Sequence, residues 1–275
     1  MQLRCAGRIL DLSLPKVMGV LNVTPDSFSD GNHYLAVDTA LQRAEQMLAD
    51  GAAIIDVGGE STRPGAEAVT AHDELRRVEP VLRELLTAGV MVSLDTSKAE
   101  VIERGLELGV HLINDVRALR ERGALVAAAR GDAAICLMHM QGEPRTMQQS
   151  PAYVDVVGEI QAFLTERLAA CQEHGVAPER LLIDPGFGFG KTLQHNLELL
   201  RRLAELTRLG PPLLVGLSRK SMLQSLTGRP VQERLAGSLA LAIAAVEGGA
   251  RIIRAHDVAE TVDALKVWQA FRAPE

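Results

Sequence analysis

The chain has 275 residues, 47% of them hydrophobic and only 3% aromatic, which is enough for one large domain with an aliphatic core. Its formal net charge of −6 argues against a general nucleic-acid-binding protein, so an anionic substrate would have to be met by local cations. Scattered cysteines, no signal-peptide apolar core in residues 1–12 and no apolar run long enough to span a bilayer predict a cytoplasmic protein without a membrane partner.

Short aliphatic runs alternate with longer amphipathic runs along the chain. The strand candidates are nearly continuous apolar runs, which is typical of parallel strands covered on both faces. They lie at residues 17–23, 54–57, 90–94, 112–114, 134–138, 181–183, 213–217 and 251–253. The helix candidates between and after them lie at 36–49, 73–86, 99–108, 124–130, 153–173, 193–207, 234–247 and 258–271.

Eight successive β–α units predict either a closed (β/α)8 TIM barrel or a doubly wound sheet. The length suits a barrel, which typically needs ~250 residues. No linker or composition break divides the sequence, so we expect a single domain over residues 1–275. Residues 3–12 indicate a short strand pair, which we interpret as a lid over the closed end of the barrel. The weakly periodic segments 24–34 and 61–71 both follow strands and are candidate active-site loops.

Polar side chains stand at the carboxyl end of every strand candidate. They are Asn22, Asp56, Asp95, Asn114, Asp115, His139, Asp184, Ser218, Arg219, Lys220, Arg254 and His256. Any one of them can simply mark where a strand meets solvent. Carboxylates, amides and cations at all eight ends instead indicate one functional face, because the carboxyl ends of barrel strands converge there.

The glycine-rich segment 184–192, DPGFGFGKT, fits neither common phosphate-binding pattern. Pro185 stands where a P-loop needs glycine, and glycines at 186, 188 and 190 lack the spacing of a dinucleotide-binding loop. The segment predicts either a flexible turn or a loop whose backbone approaches a flat ligand, with Phe189 as a wall. His139 is either structural or pocket-lining. We expect His72, His111, His174 and His195 at the surface or at helix ends.

Several segments resemble the signatures of the dihydropteroate synthase family. The first two are NVTPDSFSDG at 22–31 and GGESTRPG at 58–65. The others, in family order, are Asp95-Thr96, Asn114-Asp115, MHMQG at 138–142, the 184–191 segment, Ser218-Arg219-Lys220, GSLA at 237–240 and Arg254-x-His256-Asp257. They cover nearly the whole chain. Asn32 stands where a second glycine is common and Ala255 where valine is common, and neither departure removes a polar group.

The resemblance implies a transferase of folate biosynthesis. In that reaction the amine of p-aminobenzoate replaces diphosphate on the exocyclic CH2 of 6-hydroxymethyl-7,8-dihydropterin diphosphate, giving 7,8-dihydropteroate. The family's pterin contacts correspond to Asp95, Asn114, Met138, Asp184, Phe189, Gly216, Lys220 and Arg254. Its diphosphate contacts correspond to Asn22, Thr62, Arg63, Arg254 and His256, and its p-aminobenzoate pocket to Phe28, Arg63, Pro64, Phe189, Lys220 and Ser221. The catalytic roles would fall to Asp95, Arg63, Lys220 and Arg254.

The resemblance further implies Mg2+, a homodimer and inhibition by sulfonamides. The Mg2+ ion would be bound mainly by diphosphate oxygens, with Asn22 as its protein ligand. The homodimer would form through the late helices. No general base is needed if diphosphate departs first, because the aniline is neutral at physiological pH; catalysis is then positioning and charge stabilisation of the leaving group.

Two alternatives stay open at the level of sequence. A pterin-dependent methyltransferase on the same barrel would share the pterin-facing carboxylates and amides, but it has no use for Arg63, Arg254 and His256 around a diphosphate. A non-catalytic pterin-binding module would be expected to have lost loop residues, whereas residues 26–28, 62 and 63 all fit the family pattern.

Overall fold

The structure is a computed structural model that describes residues 1–23, 33–61, 69–143 and 146–272. Eight parallel strands close into a barrel in the order β10-β3-β4-β5-β6-β7-β8-β9. They are β3 (Lys16–Asn22), β4 (Ile54–Gly58), β5 (Val92–Asp95), β6 (Leu112–Asp115), β7 (Ala134–Met138), β8 (Leu181–Asp184), β9 (Leu213–Val215) and β10 (Ala250–Ala255). The predicted (β/α)8 barrel is confirmed, and the doubly wound alternative is wrong because β10 pairs with β3.

Helices surround the barrel. They are α1 (His33–Ala49), α2 (Ala71–Thr87), α3 (Ala99–Leu108), α4 (Ala124–Arg130), α5 (Val156–Glu173), α6 (Leu193–Arg201), α7 (Ser221–Thr227), α8 (Leu235–Glu247) and α9 (Val258–Arg272). Short 3-10 turns lie at Pro178–Arg180, Leu203–Leu209 and Val231–Glu233. Within the described ranges, no helix is both long and apolar enough to cross a membrane.

An antiparallel pair, β1 (Gln2–Cys5) and β2 (Arg8–Asp11), precedes the barrel. Leu3, Cys5, Leu10 and Leu12 are buried in one cluster with inward residues near the amino-terminal ends of the strands, such as Ile54 and Leu112. The predicted strand pair therefore covers the end of the barrel opposite the carboxyl ends of the strands.

Every barrel strand is covered on both faces. One cluster fills the interior of the barrel, and another joins the outward strand residues to the helices. For example, Ile54 belongs to the inner cluster and Ile55 to the outer one. This double burial explains why the strands appear in the sequence as continuous apolar runs.

Three predicted elements differ from the structure. The helix expected over 193–207 ends at Arg201 and continues as a 3-10 turn, in which Leu203 and Leu206 are both buried at the three-residue spacing that suits that geometry. The strand expected over 213–217 ends at Val215. Helix α7 was not predicted, because in its short sequence, SMLQSLT, polar residues interrupt the apolar ones.

Candidate active site

The pleat of the barrel decides which strand-end side chains face inward. Side chains alternate between the two faces of a strand, so residues two or four positions beyond an inward residue also face inward. Inward residues of the inner cluster include Met18, Ile54, Met91, Leu112, Cys136, Leu182, Leu214 and Ile252. Two or four residues beyond each of these, at the mouth of the barrel, further side chains therefore occupy inward positions. They are Asn22, Asp56, Asp95, Asn114, Met138, Asp184, Gly216 and Arg254.

The side chain of Asp115 lies on the outer face of β6, opposite to that of Asn114. It is fully buried and accepts hydrogen bonds from the hydroxyl of Ser97 and from the backbone N–H groups of Arg117 (2.7 Å) and Leu119 (2.8 Å). Asp115 therefore holds the turn after β6, and its place among the polar strand ends reflects a structural task.

Arg254 is the centre of a charged network across the mouth. Its Nε donates to Oδ2 of Asp56 at 2.6 Å, and its Nη2 donates to Oδ2 of Asp95 at 2.9 Å. The amide of Asn114 donates to the same Asp56 oxygen at 3.1 Å. The network therefore joins β4, β5, β6 and β10, and it brings three of the predicted pterin residues together through Asp56.

Two buried carboxylates share this one guanidinium group. Burial, reinforced by the charge of Asp56, raises the pKa of Asp95, while Arg254 opposes the rise. Burial also opposes ionisation of Arg254, but the carboxylates of Asp56 and Asp95 raise its pKa overall, so it stays a cation. A proton is therefore held at Asp95 more readily than at an ordinary aspartate.

Asp184 occupies a second buried position in the mouth. Its Oδ1 accepts the backbone N–H of Gly186 at 2.7 Å. Burial raises the pKa of Asp184 to about 6, and the Gly186 N–H and the charges of Lys220, Lys191 and Arg254 limit the rise. Lys220 and Arg254 are therefore close enough for their charges to favour the ionised form of this carboxylate.

An apolar wall stands beside Asp184. Phe189 packs against a cluster that contains Met138, Met140 and Met147. Lys220 Nζ lies 4.3 Å from the centre of the Phe189 ring, close enough for a cation–π interaction. The structure thus brings Met138, Phe189 and Lys220 to one side of the mouth.

Three of the residues predicted to hold anionic groups, Asn22, His256 and Ser221, lie at the rim of the mouth. Asn22 is exposed at the end of β3, in register with Gly58, which in turn pairs with Asp95. The backbone N–H of His256 donates to the Ser218 hydroxyl at 3.2 Å, and its Nδ1 lies 3.1 Å from the same oxygen. Ser221 is exposed at the first position of α7. Phe28, Thr62, Arg63 and Pro64 lie outside the described residues.

Lys191 is a buried residue that the sequence interpretation left without a role. Its Nζ lies 3.0 Å from Nδ1 of His139 and donates to the carbonyls of Gly186 (2.9 Å) and Phe189 (3.1 Å). Burial lowers the pKa of Lys191 to about 7, and burial and the charge of Lys191 lower the pKa of His139 to about 2. His139 is therefore a neutral acceptor, and its ring packs edge-on against Phe163 at 5.0 Å, which is a structural role.

A second network that was not predicted spans the base of the 61–68 segment. Lys98 donates to both Glu60 and the fully buried Glu74. Oε1 of Glu60 accepts the backbone N–H of Val69 at 3.1 Å, which ties together the two ends of the segment. Burial raises the pKa of Glu74 and opposes ionisation of Lys98, but the two carboxylates raise the pKa of Lys98 overall.

The protein's own metal ligands are sparse. No group of three or more His, Cys, Asp or Glu side chains among the described residues is arranged to hold a metal ion. Asn22 offers a single neutral amide oxygen, a donor type that Mg2+ accepts when most of its other ligands are phosphate oxygens or water. The donor set therefore fits an ion that arrives with a diphosphate better than a permanently held metal.

A cavity of about 300 Å3 lies at the other end of the barrel. Its lining includes Met1, Gln2, Pro178, Pro211 and Pro212, near the amino-terminal ends of β8 and β9. None of the predicted site residues lines it. The carboxyl-terminal mouth, where the charged side chains converge, is therefore the candidate active site.

The comparisons with known proteins agree with this fold and identify a family. Residues 18–256 match the family described as pterin binding enzyme. The closed barrel and this family match together place the chain in the class of pterin binding enzymes.

Individual relatives narrow the class. The dihydropteroate synthase of Escherichia coli (strain K12) is 54% identical over 271 residues, which cover 98% of this chain and 96% of the relative. The Yersinia pestis dihydropteroate synthase with a sulfonamide drug complex has a TM-score of 0.95 and 52% identity, covering 100% of both chains. The Xanthomonas albilineans dihydropteroate synthase in complex with 7,8-dihydropteroate has a TM-score of 0.88 and 43% identity, covering 100% and 99%. The chain belongs to the dihydropteroate synthase family.

Proposed function

We propose that this protein condenses 6-hydroxymethyl-7,8-dihydropterin diphosphate with p-aminobenzoate to give 7,8-dihydropteroate and diphosphate. The observation that carries the proposal is the mouth of the barrel, where Asp95, Asn114 and Asp184 face inward around Arg254 and Lys220. The similar Xanthomonas albilineans protein, named as a complex with 7,8-dihydropteroate, supports the product. The similar Yersinia pestis protein, named as a sulfonamide drug complex, supports a p-aminobenzoate-shaped pocket.

The pterin half requires a buried polar edge beside an apolar face. Its aminopyrimidinone edge presents adjacent donors and acceptors, and we assign the N–H donors to the Asp184 carboxylate, with Asn114 and Asp95 completing the edge. Hydrogen bonds to a charged group contribute ~1.5–3 kcal/mol each. Met138 and Phe189 provide apolar contact, Gly216 leaves room opposite Arg254, and Lys220 donates to the ring carbonyl and N5 region.

The diphosphate half requires cations and donors at the rim. We assign it to Arg254 and His256, with Asn22, Thr62 and Arg63. Arg254 is already oriented by its ion pair with Asp56, so its guanidinium group offers charge to the leaving oxygen without reorganising. Asn22 would hold Mg2+, which when bound supplies further neutralisation of the diphosphate charge.

The p-aminobenzoate half lies between the apolar wall and α7. We assign its ring to Phe189, Phe28 and Pro64, its amine side to Lys220 and Arg63, and its carboxylate to Ser221. Lys220 and Ser221 are consecutive residues at the start of α7, so one helix terminus positions both. This arrangement leaves the neutral amine facing the pterin CH2, which it attacks after diphosphate has departed, and the amine then loses one proton to solvent or to the diphosphate.

The protein is further proposed to be a cytoplasmic homodimer. All three cysteines are free and buried, which suits a reducing compartment. Leu226, Val267 and Phe271 on α7 and α9 are 49%, 71% and 82% exposed, and α8 carries no charge before Glu247. An exposed apolar surface on consecutive helices is typical of an interface.

The homodimer has a direct test. Val267→Glu should shift the protein to monomers in sedimentation velocity, because it places a charge in the proposed interface. Val126→Glu, on α4 and 45% exposed, is the matched control and should leave the assembly unchanged. Equal sedimentation of both variants and the unmodified protein would show that Val267 does not lie in a dimer interface.

A steady-state assay with labelled p-aminobenzoate tests the reaction. We expect labelled 7,8-dihydropteroate and stoichiometric diphosphate, both dependent on the pterin diphosphate and on Mg2+. A methyltransferase would instead consume methyltetrahydrofolate, and a binding module would retain the pterin without turnover. Either result, with no labelled product, would overturn the proposed function.

A further inference from the structure

Lys191 is enclosed by the loop that it follows. Lys191 is 3% exposed, and its Nζ lies within hydrogen-bond distance of three atoms: His139 Nδ1, Gly186 O and Phe189 O. None of these acceptors is a substrate-facing side chain. The direct contacts of Lys191 with the site are therefore those with the backbone of the 185–190 loop, and its charge also acts on Asp184.

The 185–190 loop is held by contacts of its backbone with another segment of the chain. Gly186 and Gly190 have φ angles of +69° and +62°, in the left-handed region that favours glycine. A Cβ at Gly186 would lie 1.9 Å from the His139 carbonyl oxygen, and one at Gly190 would lie 2.2 Å from that of Gln141. The loop thus packs backbone to backbone against residues 139–141, with no side chains at those points to keep it there.

The two carbonyls that Lys191 holds flank the functional part of the loop. Gly186 donates its N–H to Asp184, and the Gly186 carbonyl also accepts the backbone N–H of Phe189 at 3.1 Å. Phe189 presents its ring to Lys220. A displacement of the Phe189 carbonyl therefore moves the ring that forms the wall beside Lys220.

We propose that Lys191 is a positioning residue, which fixes the Phe189 ring in the p-aminobenzoate pocket by holding the carbonyls of Gly186 and Phe189 against His139. The proposal rests on the proposed function for the meaning of that pocket. It also gives a task to the lysine that ends the DPGFGFGK segment, which has no phosphate-binding geometry. The other explanation for Lys191 is general stabilisation of the fold, with no selective effect on one substrate.

A double-mutant cycle between Lys191 and Phe189 separates the two explanations. Lys191→Met keeps the length of the side chain but removes the charge and the three donors. We expect it to raise the KM for p-aminobenzoate about tenfold, the size of a lost aromatic contact, with kcat reduced less than threefold. In the Phe189→Ala background the same change should raise that KM less than twofold, because the ring it positions is already gone.

Thr192→Ala is the matched control. Thr192 caps α6 by accepting the N–H of His195, so its loss weakens the fold at the neighbouring position without touching the two held carbonyls. It should lower the thermal midpoint while leaving the KM for p-aminobenzoate within twofold. If Lys191→Met does not fold, Lys191→Gln, which restores two donors, takes its place in the cycle.

The outcomes are distinct. Additive effects in the two backgrounds, a KM that does not change, or failure of both Lys191 variants to fold would overturn the positioning role and leave Lys191 as a structural residue. An unmodified protein that makes no labelled product would instead defeat the proposed function. In that case the positioning role of Lys191 would fail as well, and the assay of the unmodified protein would show that the proposed function is the cause.

Discussion

At the scale of single residues, Asp56 and Asp95 divide the work of holding Arg254. Asp56 is fully buried and binds both Arg254 and Asn114, whereas the Asp95 side chain keeps 11% exposure at the mouth. An uncompensated buried charge costs several kcal/mol, so Arg254 needs a permanent partner. Asp56 supplies that partner, which leaves the more accessible Asp95 able to exchange its bond with Arg254 for one with substrate.

Asp184 makes the binding of the pterin dependent on pH. Its carboxylate accepts N–H groups only when ionised, and its pKa in the free protein is about 6. The contribution of Asp184 to the affinity for a pterin ligand should therefore fall as the pH drops through 6, because proton binding then competes with the ligand. Asp184→Asn replaces an acceptor by a donor and should weaken binding at pH 8 at least tenfold, since mispaired buried polar groups cost ~1–3 kcal/mol.

Calorimetry with the pterin ligand across pH 5–8 checks both statements. Asp184→Asn should also flatten the pH dependence, because its side chain does not titrate. Asp73→Asn provides the matched control: Asp73 is a surface carboxylate near the start of α2, and it should retain full affinity. Undiminished affinity of Asp184→Asn at pH 8 would remove Asp184 from the pterin edge.

At the scale of elements, the apolar periodicity of the sequence was sufficient to predict the barrel, but it did not predict the hydrogen-bond networks between its polar side chains. The apolar runs place Asp95, Asn114, Asp184 and Arg254 at strand ends, and the two-residue period then decides which of them face the mouth. The same period separates inward Asn114 from outward Asp115, a distinction that the sequence interpretation did not use.

The sequence did not predict which side chains that are far apart in the chain bind each other. The ion pair of Arg254 with Asp56 spans 198 positions, and nothing local to either residue indicates it. His111 was expected at the surface or a helix end, and this was wrong: it is 8% exposed and its Nδ1 accepts the N–H of Val92 between neighbouring strands. The roles of Phe28, Thr62, Arg63 and Pro64 stay predictions, as does the interpretation of segments 24–34 and 61–71 as active-site loops.

We expect Lys98 to stabilise the folded protein by neutralising the two carboxylates next to the 61–68 segment. Lys98→Met leaves the carboxylates of Glu60 and Glu74 without their shared cation, and breaking a buried pair in this way costs ~3–5 kcal/mol. We expect the free energy of unfolding at pH 8 to fall by that order. Because burial raises the pKa of Glu74 in the folded state, the folded form binds its proton more tightly, so the loss should shrink as pH falls towards 5.

Urea titrations at pH 5 and pH 8 measure this effect. Adding Glu74→Gln to Lys98→Met should recover part of the stability at pH 8, since it removes the buried charge. Lys266→Met, at a lysine with 70% side-chain exposure, is the control and should change stability by less than about 0.5 kcal/mol. A loss in Lys98→Met that is the same at both pH values would show that Glu74 does not carry it.

At the scale of the whole molecule, the two ends of the barrel have separate tasks. The carboxyl ends of the strands hold the charged network, the apolar wall and the rim residues. The amino-terminal end is closed by β1 and β2 through an entirely apolar cluster. Barrel enzymes divide catalysis and stability between their faces in this way, so changes at one end need not affect the other.

Leu12 tests this separation because it is fully buried in the cluster at the closed end of the barrel. Leu12→Ala removes buried methyl groups and leaves a cavity, which costs ~2–5 kcal/mol in comparable cores. We expect the free energy of unfolding to fall by that amount while kcat and both KM values stay within twofold, measured well below the thermal midpoint. Leu14→Ala, two positions away and 50% exposed, should change neither quantity appreciably. A selective rise in either KM for Leu12→Ala, at a temperature where the protein is fully folded, would mean that strain passes through the inner cluster from Ile54 and Leu112 to Asp56 and Asn114, and that the lid helps to set the site geometry as well as to close the barrel.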